Sequence, residues 1–292
     1  MPELPGVSHS FHEVRGVRLH VAEAGEGEPL VLLHGWPQSW WCWHKVIPGL
    51  AESGFRVIAP DLRGYGWSEE APGGYEKESF ARDLVALLDE LGLERVQLIG
   101  HDWGAMAGFM ACIEHPERFE RYIALSVIHP FREPDPRRML EVWRLWYQAV
   151  LAAPVVGANI VAHVPGFAAR VLRSASVRED AFTDRDIEIY SQTLRPHTTV
   201  QTYRSFLLRE ALPIARGRWR RRLSAPTRMM VGDHDPVATP NTFPGYEEYA
   251  DDMQIEVLDG VGHFVPEEAP DEVLRLARSF LRQAQPRAAP AT

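Results

Sequence analysis

Short, continuous apolar runs alternate along this chain with longer stretches whose apolar positions recur every three to four residues. The runs are Val17–Ala24, Leu30–His34, Phe55–Ala59, Val96–Gly100, Tyr122–Ile128, Thr227–Val231 and Gln254–Leu258, the first two split by Gly25-Glu26-Gly27. Brief apolar runs bounded by turn residues are the pattern of strands covered on both faces, as in parallel sheets. Between them, Trp40–Glu52, Glu76–Leu91, Trp103–Glu114 and Asp271–Leu281 carry helical spacing. Alternation of the two patterns predicts an α/β fold, a parallel sheet with helices on both faces.

The alternation stops at Ile128. From Pro130 to Leu212 no strand run occurs, and helical spacing covers Arg137–Ala152, Thr183–Leu194 and Pro196–Glu210. Thr183 and Asp186 have the spacing of a capping box, and Pro196 suits a first helical turn. The expected organisation is a core of residues 1–129 and 213–292 with an all-helical lid of residues 130–212 inserted between two strands. The Pro- and Ala-containing tail after Arg282 reads as disordered.

Composition narrows the class. Apolar residues make up 45% of 292, enough for a substantial core. A net charge of −9 argues against nucleic acid or an anionic membrane as a partner. No run reaches the roughly 18 apolar residues of a membrane span. The first ten residues lack the features of a signal peptide, so a cytoplasmic protein is expected. The two cysteines, Cys42 and Cys112, sit in apolar segments and read as reduced core residues. Of 31 basic residues only Lys45 and Lys77 are lysine, the codon usage of a GC-rich bacterial genome. The histidines lack zinc-site spacing, so no metal and no cofactor are expected.

The chemistry centres on Leu98-Ile99-Gly100-His101-Asp102-Trp103-Gly104. A buried strand runs into a turn and a helix, with glycines two residues either side of the central position. This is the spacing of a nucleophile elbow, whose turn admits only small neighbours. The central residue is usually Ser; here it is Asp102. A carboxylate is already anionic at neutral pH and can attack an alkyl carbon to form an ester. Two further elements follow in chain order: Gly232-Asp233-His234-Asp235-Pro236 after one strand, and Gly262-His263-Phe264 after the last. Upstream, an apolar strand enters the turn His34-Gly35-Trp36-Pro37.

On these motifs the chain resembles the α/β-hydrolase superfamily, and most closely its epoxide hydrolases, from about Phe11 to Leu281. The resemblance implies a mostly parallel eight-stranded sheet with helices on both faces. It assigns Asp102 as nucleophile, His263 as base and Asp235 as the acid that orients it. Asp233 then becomes a solvated loop residue, and Asp135 a distant alternative acid. Backbone N–H groups of Trp36 and Trp103 would form the oxyanion hole, with a cis bond before Pro37. Two lid tyrosines, Tyr147 in Leu-Trp-Tyr-Gln and Tyr203 in Thr-Tyr-Arg, would hold the epoxide oxygen, whereas Tyr190 reads as structural. Trp36, Trp103, Trp146 and Phe264 would line an apolar pocket. His34 and His101 read as hydrogen-bonded supports, Trp40, Trp41 and Trp43 as core, and the arginines from Arg216 to Arg222 as a solvated run. The implied reaction joins an apolar epoxide and water to a vicinal diol. Loss of activity is expected as the pH falls through the base's titration, at about 6–7 for an unperturbed histidine.

A haloalkane dehalogenase would use the same trio. Such enzymes usually carry Asn where Trp36 stands, and fluoroacetate dehalogenases Arg where Trp103 stands. A ligand sensor on the same fold would tolerate loss of a member of the trio, and none is missing.

Overall fold

The computed structural model describes residues 1–132 and 146–282. At its centre lies one eight-stranded sheet: β1 Val7–Val14, β2 Val17–Ala24, β3 Glu28–Leu33, β4 Phe55–Pro60, β5 Val96–His101, β6 Phe119–Leu125, β7 Thr227–Gly232 and β8 Met253–Leu258. Their spatial order is β1-β2-β4-β3-β5-β6-β7-β8. Only β2 runs against the rest, pairing antiparallel with β1 and β4, while all other neighbours pair parallel. Parallel strands need covered faces, and the side chains alternate accordingly. Leu33, Leu98 and Tyr122 enter one core with Phe80 and Leu84 of α2 (Lys77–Glu90) and Phe109 of α3 (Asp102–Glu114). Leu32, Ile99 and Ile123 enter the other, with Ile47 of α1 (Ile47–Glu52) and Val273 of α11 (Pro270–Leu276).

The seven apolar runs all form strands. β1 is the one the apolar pattern left out. It is an edge strand paired to β2 alone, through a hairpin whose Arg15 and Gly16 both have positive φ (49° and 75°). Its sequence, VSHSFHEV, offers histidines where a buried strand would offer aliphatics. The expected helix over Trp40–Glu52 divides into a 3-10 turn, Trp40–Trp43, and α1. Pro48 lacks the N–H an interior helical position needs, so it falls in the first turn of α1. Trp40, Trp41 and Trp43 are buried. β6 ends at Leu125, earlier than expected, because Ser126 turns the chain at φ 47°.

Between β6 and β7 the described residues form helices and no strand: α4 Trp146–Ala152, α5 Pro154–His163, α6 Phe167–Ser174, α7 Asp184–Thr193, α8 Pro196–Ser205, a π-helical turn Phe206–Glu210 and α9 Ala211–Ala215. α5 and α6 were not anticipated. α5, PVVGANIVAH, is apolar almost all round, so no polar face marks its period. Thr183 and Asp186 form the capping box at the start of α7, and Pro196 opens α8. Asp135, the Arg137–Leu145 part of an expected helix and the tail from Gln283 lie outside the described residues. Among the described residues no single helix is long and apolar enough to cross a membrane. Cys42 and Cys112 are buried and free.

Candidate active site

The strand order reverses between β3 and β5. β4 lies to one side of β3, and β5 through β8 to the other, so loops leaving the carboxyl ends of β3 and β5 part and leave a crevice. The elbow stands there. Asp102 has φ 49°, a left-handed conformation that a non-glycine residue keeps only when its surroundings enforce it. Packing explains the glycines. A Cβ on Gly100 would lie 2.7 Å from the Ala105 Cα, and one on Gly104 would lie 2.5 Å from the Leu33 carbonyl oxygen. A Cβ on Gly35 would lie 2.4 Å from the Asp102 Cβ, so the His34-Gly35 turn reaches the carboxylate only because Gly35 has no side chain.

That approach lets the Trp36 backbone N–H donate to Asp102 Oδ2 at 2.9 Å. The Trp36–Pro37 bond is cis. The other oxygen, Oδ1, lies 3.7 Å from His263 Nε2. Burial pushes the Asp102 carboxyl above its usual value, against the pull of His263 and the backbone N–H groups of Trp36 and Trp103.

On its far side the His263 ring donates from Nδ1 to Asp235, with both carboxylate oxygens at 3.1 Å. Asp235 is buried and accepts two backbone N–H bonds, from Val237 (2.7 Å) and Ala238 (3.1 Å). Burial would raise its pKa, but His263 and these N–H donors hold it below the usual carboxylate value. Asp233 instead accepts from the Val261 N–H, away from the ring. For His263 burial alone would favour the neutral form, but Asp235, Asp102 and Glu268 outweigh it and raise its pKa to about 9. The expectation of an unperturbed histidine is therefore corrected: two carboxylates bracket the ring and hold its proton.

The supports behave as the sequence suggested. His101, kept neutral by burial with a pKa lowered to about 3, donates from Nε2 to the His263 carbonyl at 2.9 Å. His34 Nε2 accepts from Leu62 N–H and its Nδ1 donates to the Gly35 carbonyl, each at 3.0 Å.

Above the carboxylate lies a cavity of about 490 Å³ with mainly apolar walls. Trp36, Trp103, Trp146 and Phe264 all line it, as do Tyr147 and Tyr203. Trp146 is 63% exposed, which puts it at the rim. The rings of Tyr147 and Tyr203 meet edge to face with centroids 6.2 Å apart, and Tyr203 also packs on Trp36 and Trp103. Burial raises the Tyr147 phenol to about 12 and that of Tyr203 well above its ordinary value, so both remain hydroxyl donors at neutral pH. Tyr190 is absent from the cavity wall; its hydroxyl donates to buried Glu267. Among the described residues no group of three or more His, Cys, Asp or Glu is arranged to hold a metal.

The model of the alpha/beta hydrolase fold family matches residues 28–270. Over 285 residues the chain is 31% identical to the soluble epoxide hydrolase of Corynebacterium sp. (strain C12), covering 94% of this chain and 97% of that protein. The chain belongs to the epoxide hydrolase branch of the α/β-hydrolase family. Another member, epoxide hydrolase A of Mycobacterium tuberculosis, is 32% identical over 92% of this chain and 95% of its own. Among solved structures of the family, epoxide hydrolase VrEH1 from Vigna radiata superimposes with a TM-score of 0.82 at 26% identity, covering 97% of this chain and 99% of that one.

Three groups around the site escaped the sequence reading. Glu268, buried at the end of α10 (Val265–Glu268), accepts backbone N–H bonds from Gly262, Phe264, Val177 and Arg178 at 2.8–3.3 Å. It thereby ties both neighbours of His263 to the segment after α6. Thr199 of α8 accepts from the Trp36 indole at 3.0 Å. Ser126, which follows the end of β6 as Asp102 follows the end of β5, lines the cavity with a buried hydroxyl that has no partner in this structure. Only Ser126 carried a local signal, since a serine closing a buried apolar strand is itself unusual.

Proposed function

We infer that this chain is an epoxide hydrolase that opens an apolar epoxide on Asp102 and releases a vicinal diol. The observation that carries the mechanism is the division of labour at one carboxylate. Oδ2 rests on the Trp36 N–H, while Oδ1 is turned toward the cavity and His263. Oδ1 attacks the less hindered epoxide carbon and the C–O bond breaks. The departing oxygen takes a hydrogen bond and then a proton from Tyr147 and Tyr203. No base is needed for this step.

The second half-reaction cleaves the ester. His263 takes a proton from water, and the hydroxide adds to the Asp102 carbonyl carbon. The charge that forms on Oδ2 meets the N–H groups of Trp36 and Trp103. Asp235 holds the ring and balances its positive charge. The Cγ–Oδ1 bond then breaks: Oδ1 leaves on the diol and takes the proton held by His263, the water oxygen stays on Asp102, and the proton on the new Asp102 carboxyl returns to the tyrosine that protonated the epoxide oxygen. In this reading residues 130–212 are a lid over a core of residues 1–129 and 213–292, because both tyrosines come from helices between β6 and β7. The free, buried Cys42 and Cys112 suit a reducing compartment, and the cytoplasm is proposed on that ground.

Oxygen labelling tests the route. With enzyme in excess over an aryl or alkyl epoxide in H2(18)O, the first-turnover diol should carry no label and Asp102 should gain it. Label in the first-turnover diol would mean direct attack by water and would reject the ester. A haloalkane turned over where epoxides are not would reject the substrate class.

A further inference from the structure

Lys77 is one of two lysines in the chain, and it is fully buried. It opens α2, where a charged residue ordinarily faces water. Its Nζ lies 2.8 Å from Oε1 of Glu210, also buried, and the Lys77 backbone N–H donates to Oε2 of the same carboxylate at 2.8 Å. Glu210 comes from the π-helical turn that follows α8; such turns are rare and recur at functional sites. The ammonium also donates to the carbonyl of Thr202, the residue before Tyr203, at 3.3 Å. Three aromatic rings close around it. Its Nζ is 4.4 Å from the centroid of Trp103, 5.4 Å from that of Phe206 and 6.0 Å from that of Phe80. Of these, Trp103 and Phe206 line the cavity.

Burial pulls the Lys77 pKa down and pushes that of Glu210 up, each partly restored by the other. Such a pair contributes little to stability compared with apolar residues of similar size. What it does contribute is geometry, because its bonds run to the elements that carry the ring-opening groups. We propose that Lys77, held by Glu210, is a positioning residue for epoxide opening. It fixes the Trp103 indole, which packs on Tyr203, and it fixes the turn of α8 that presents Tyr203. The inference rests on the epoxide hydrolase reading. It predicts that the pair serves alkylation, whereas His263 and its carboxylates serve hydrolysis.

The test uses the full-length protein with Lys77→Met and the double variant Lys77→Met/Glu210→Leu, which leaves no unpaired buried charge. The double variant should melt at or above the wild-type temperature, while stopped-flow ring opening slows about 10-fold or more, the scale of a small misplacement of reacting groups. The rate of ester hydrolysis should stay within about 2-fold of wild type. In a Tyr203→Phe background the same change should slow ring opening less than about 3-fold, because both act on one contact. Amide hydrogen exchange reads the placement without turnover. Residues 200–210 should exchange faster in the double variant, with Trp103 and Gly262–Phe264 unchanged. Wild-type ring opening in a folded double variant, or unchanged exchange at residues 200–210, would overturn the proposal. Failure of the wild type to open any epoxide would instead defeat the broader reading, and the exchange result would still decide the role of Lys77.

Discussion

His263 cannot act as a base while it holds its proton, and in the resting enzyme two carboxylates hold that proton up to a pKa of about 9. Alkylation changes this, because an ester at Asp102 carries no charge. The perturbation that isolates the effect is Asp102→Asn, which mimics the neutral ester. Asp102 Oδ1 lies 3.7 Å from Nε2. Opposite unit charges at about 4 Å attract by about 4 kcal/mol at an effective dielectric of about 20. That equals a pKa fall of about 3, and about half as much if the charge is shared equally over two oxygens. Asp102→Asn should therefore bring His263 from about 9 to roughly 6–7.5. The sign follows from linkage. A partner that favours the charged ring raises its pKa, so removing the partner lowers it and frees the base at neutral pH. Titration of the 15N-labelled imidazole by NMR, with the Asn checked by mass, gives both values. In kinetics, the acid limb of kcat should lie at the lower value where ester hydrolysis is limiting. The acid limb of kcat/KM should follow Asp102, whose carboxyl is raised by burial. If His263 titrates at the same pH in both proteins, Asp102 does not hold its proton and alkylation does not switch on the base.

His263→Ala should still alkylate and then stop, so intact mass after mixing with an epoxide should show enzyme plus substrate; an unmodified mass beside an active wild type would contradict the two-step route. Tyr147→Phe and Tyr203→Phe each remove a bond to a developing alkoxide, worth about 1.5–3 kcal/mol. Each should slow ring opening roughly 10- to 100-fold, and a double variant as fast as wild type would dismiss the tyrosines. Gly104→Ala forces a Cβ to 2.5 Å from the Leu33 carbonyl oxygen, so it should destabilise the fold by about 1–3 kcal/mol, read as a lower Tm. Glu268→Gln replaces an acceptor of four N–H bonds by one that can no longer satisfy them all, so ester hydrolysis should slow while ring opening holds; an equal loss in both steps would make Glu268 a general stabiliser.

The parts legible in the sequence are those fixed by local sterics. Gly100, Gly104 and Gly35 stand where any Cβ would strike backbone or Asp102, so the elbow and its facing turn are written in residue type alone. The parallel strands are legible because both their faces are covered, which leaves unbroken apolar runs. β1 failed that test: an edge strand half open to water needs no such run, and its Phe11 is itself exposed. Among the helices between β6 and β7, α5 gave no period because its sequence has no polar face, and Val155 and Val156 on it are exposed.

Other features depend on contacts that no local pattern encodes. The choice between Asp233 and Asp235 could be made from a motif, but its physical basis is the orientation of two side chains. One accepts from the Val261 N–H and the other meets His263. Lys77 and Glu210 are 133 residues apart, and each alone reads as a solvated charge on a helix. Their burial exists only because the helices after β6 fold back over α2 and α3. Glu268 is the same case in reverse, since it looks like one of several acids in a helix start until the segment from Ala175 to Arg178 docks on it. The proposed nucleophile and base thus stand on loops of the sheet, whose geometry the sequence states locally. The proposed donors for the epoxide oxygen, and the groups packed around them, are set by how the helical segment docks, and that is information held between distant residues.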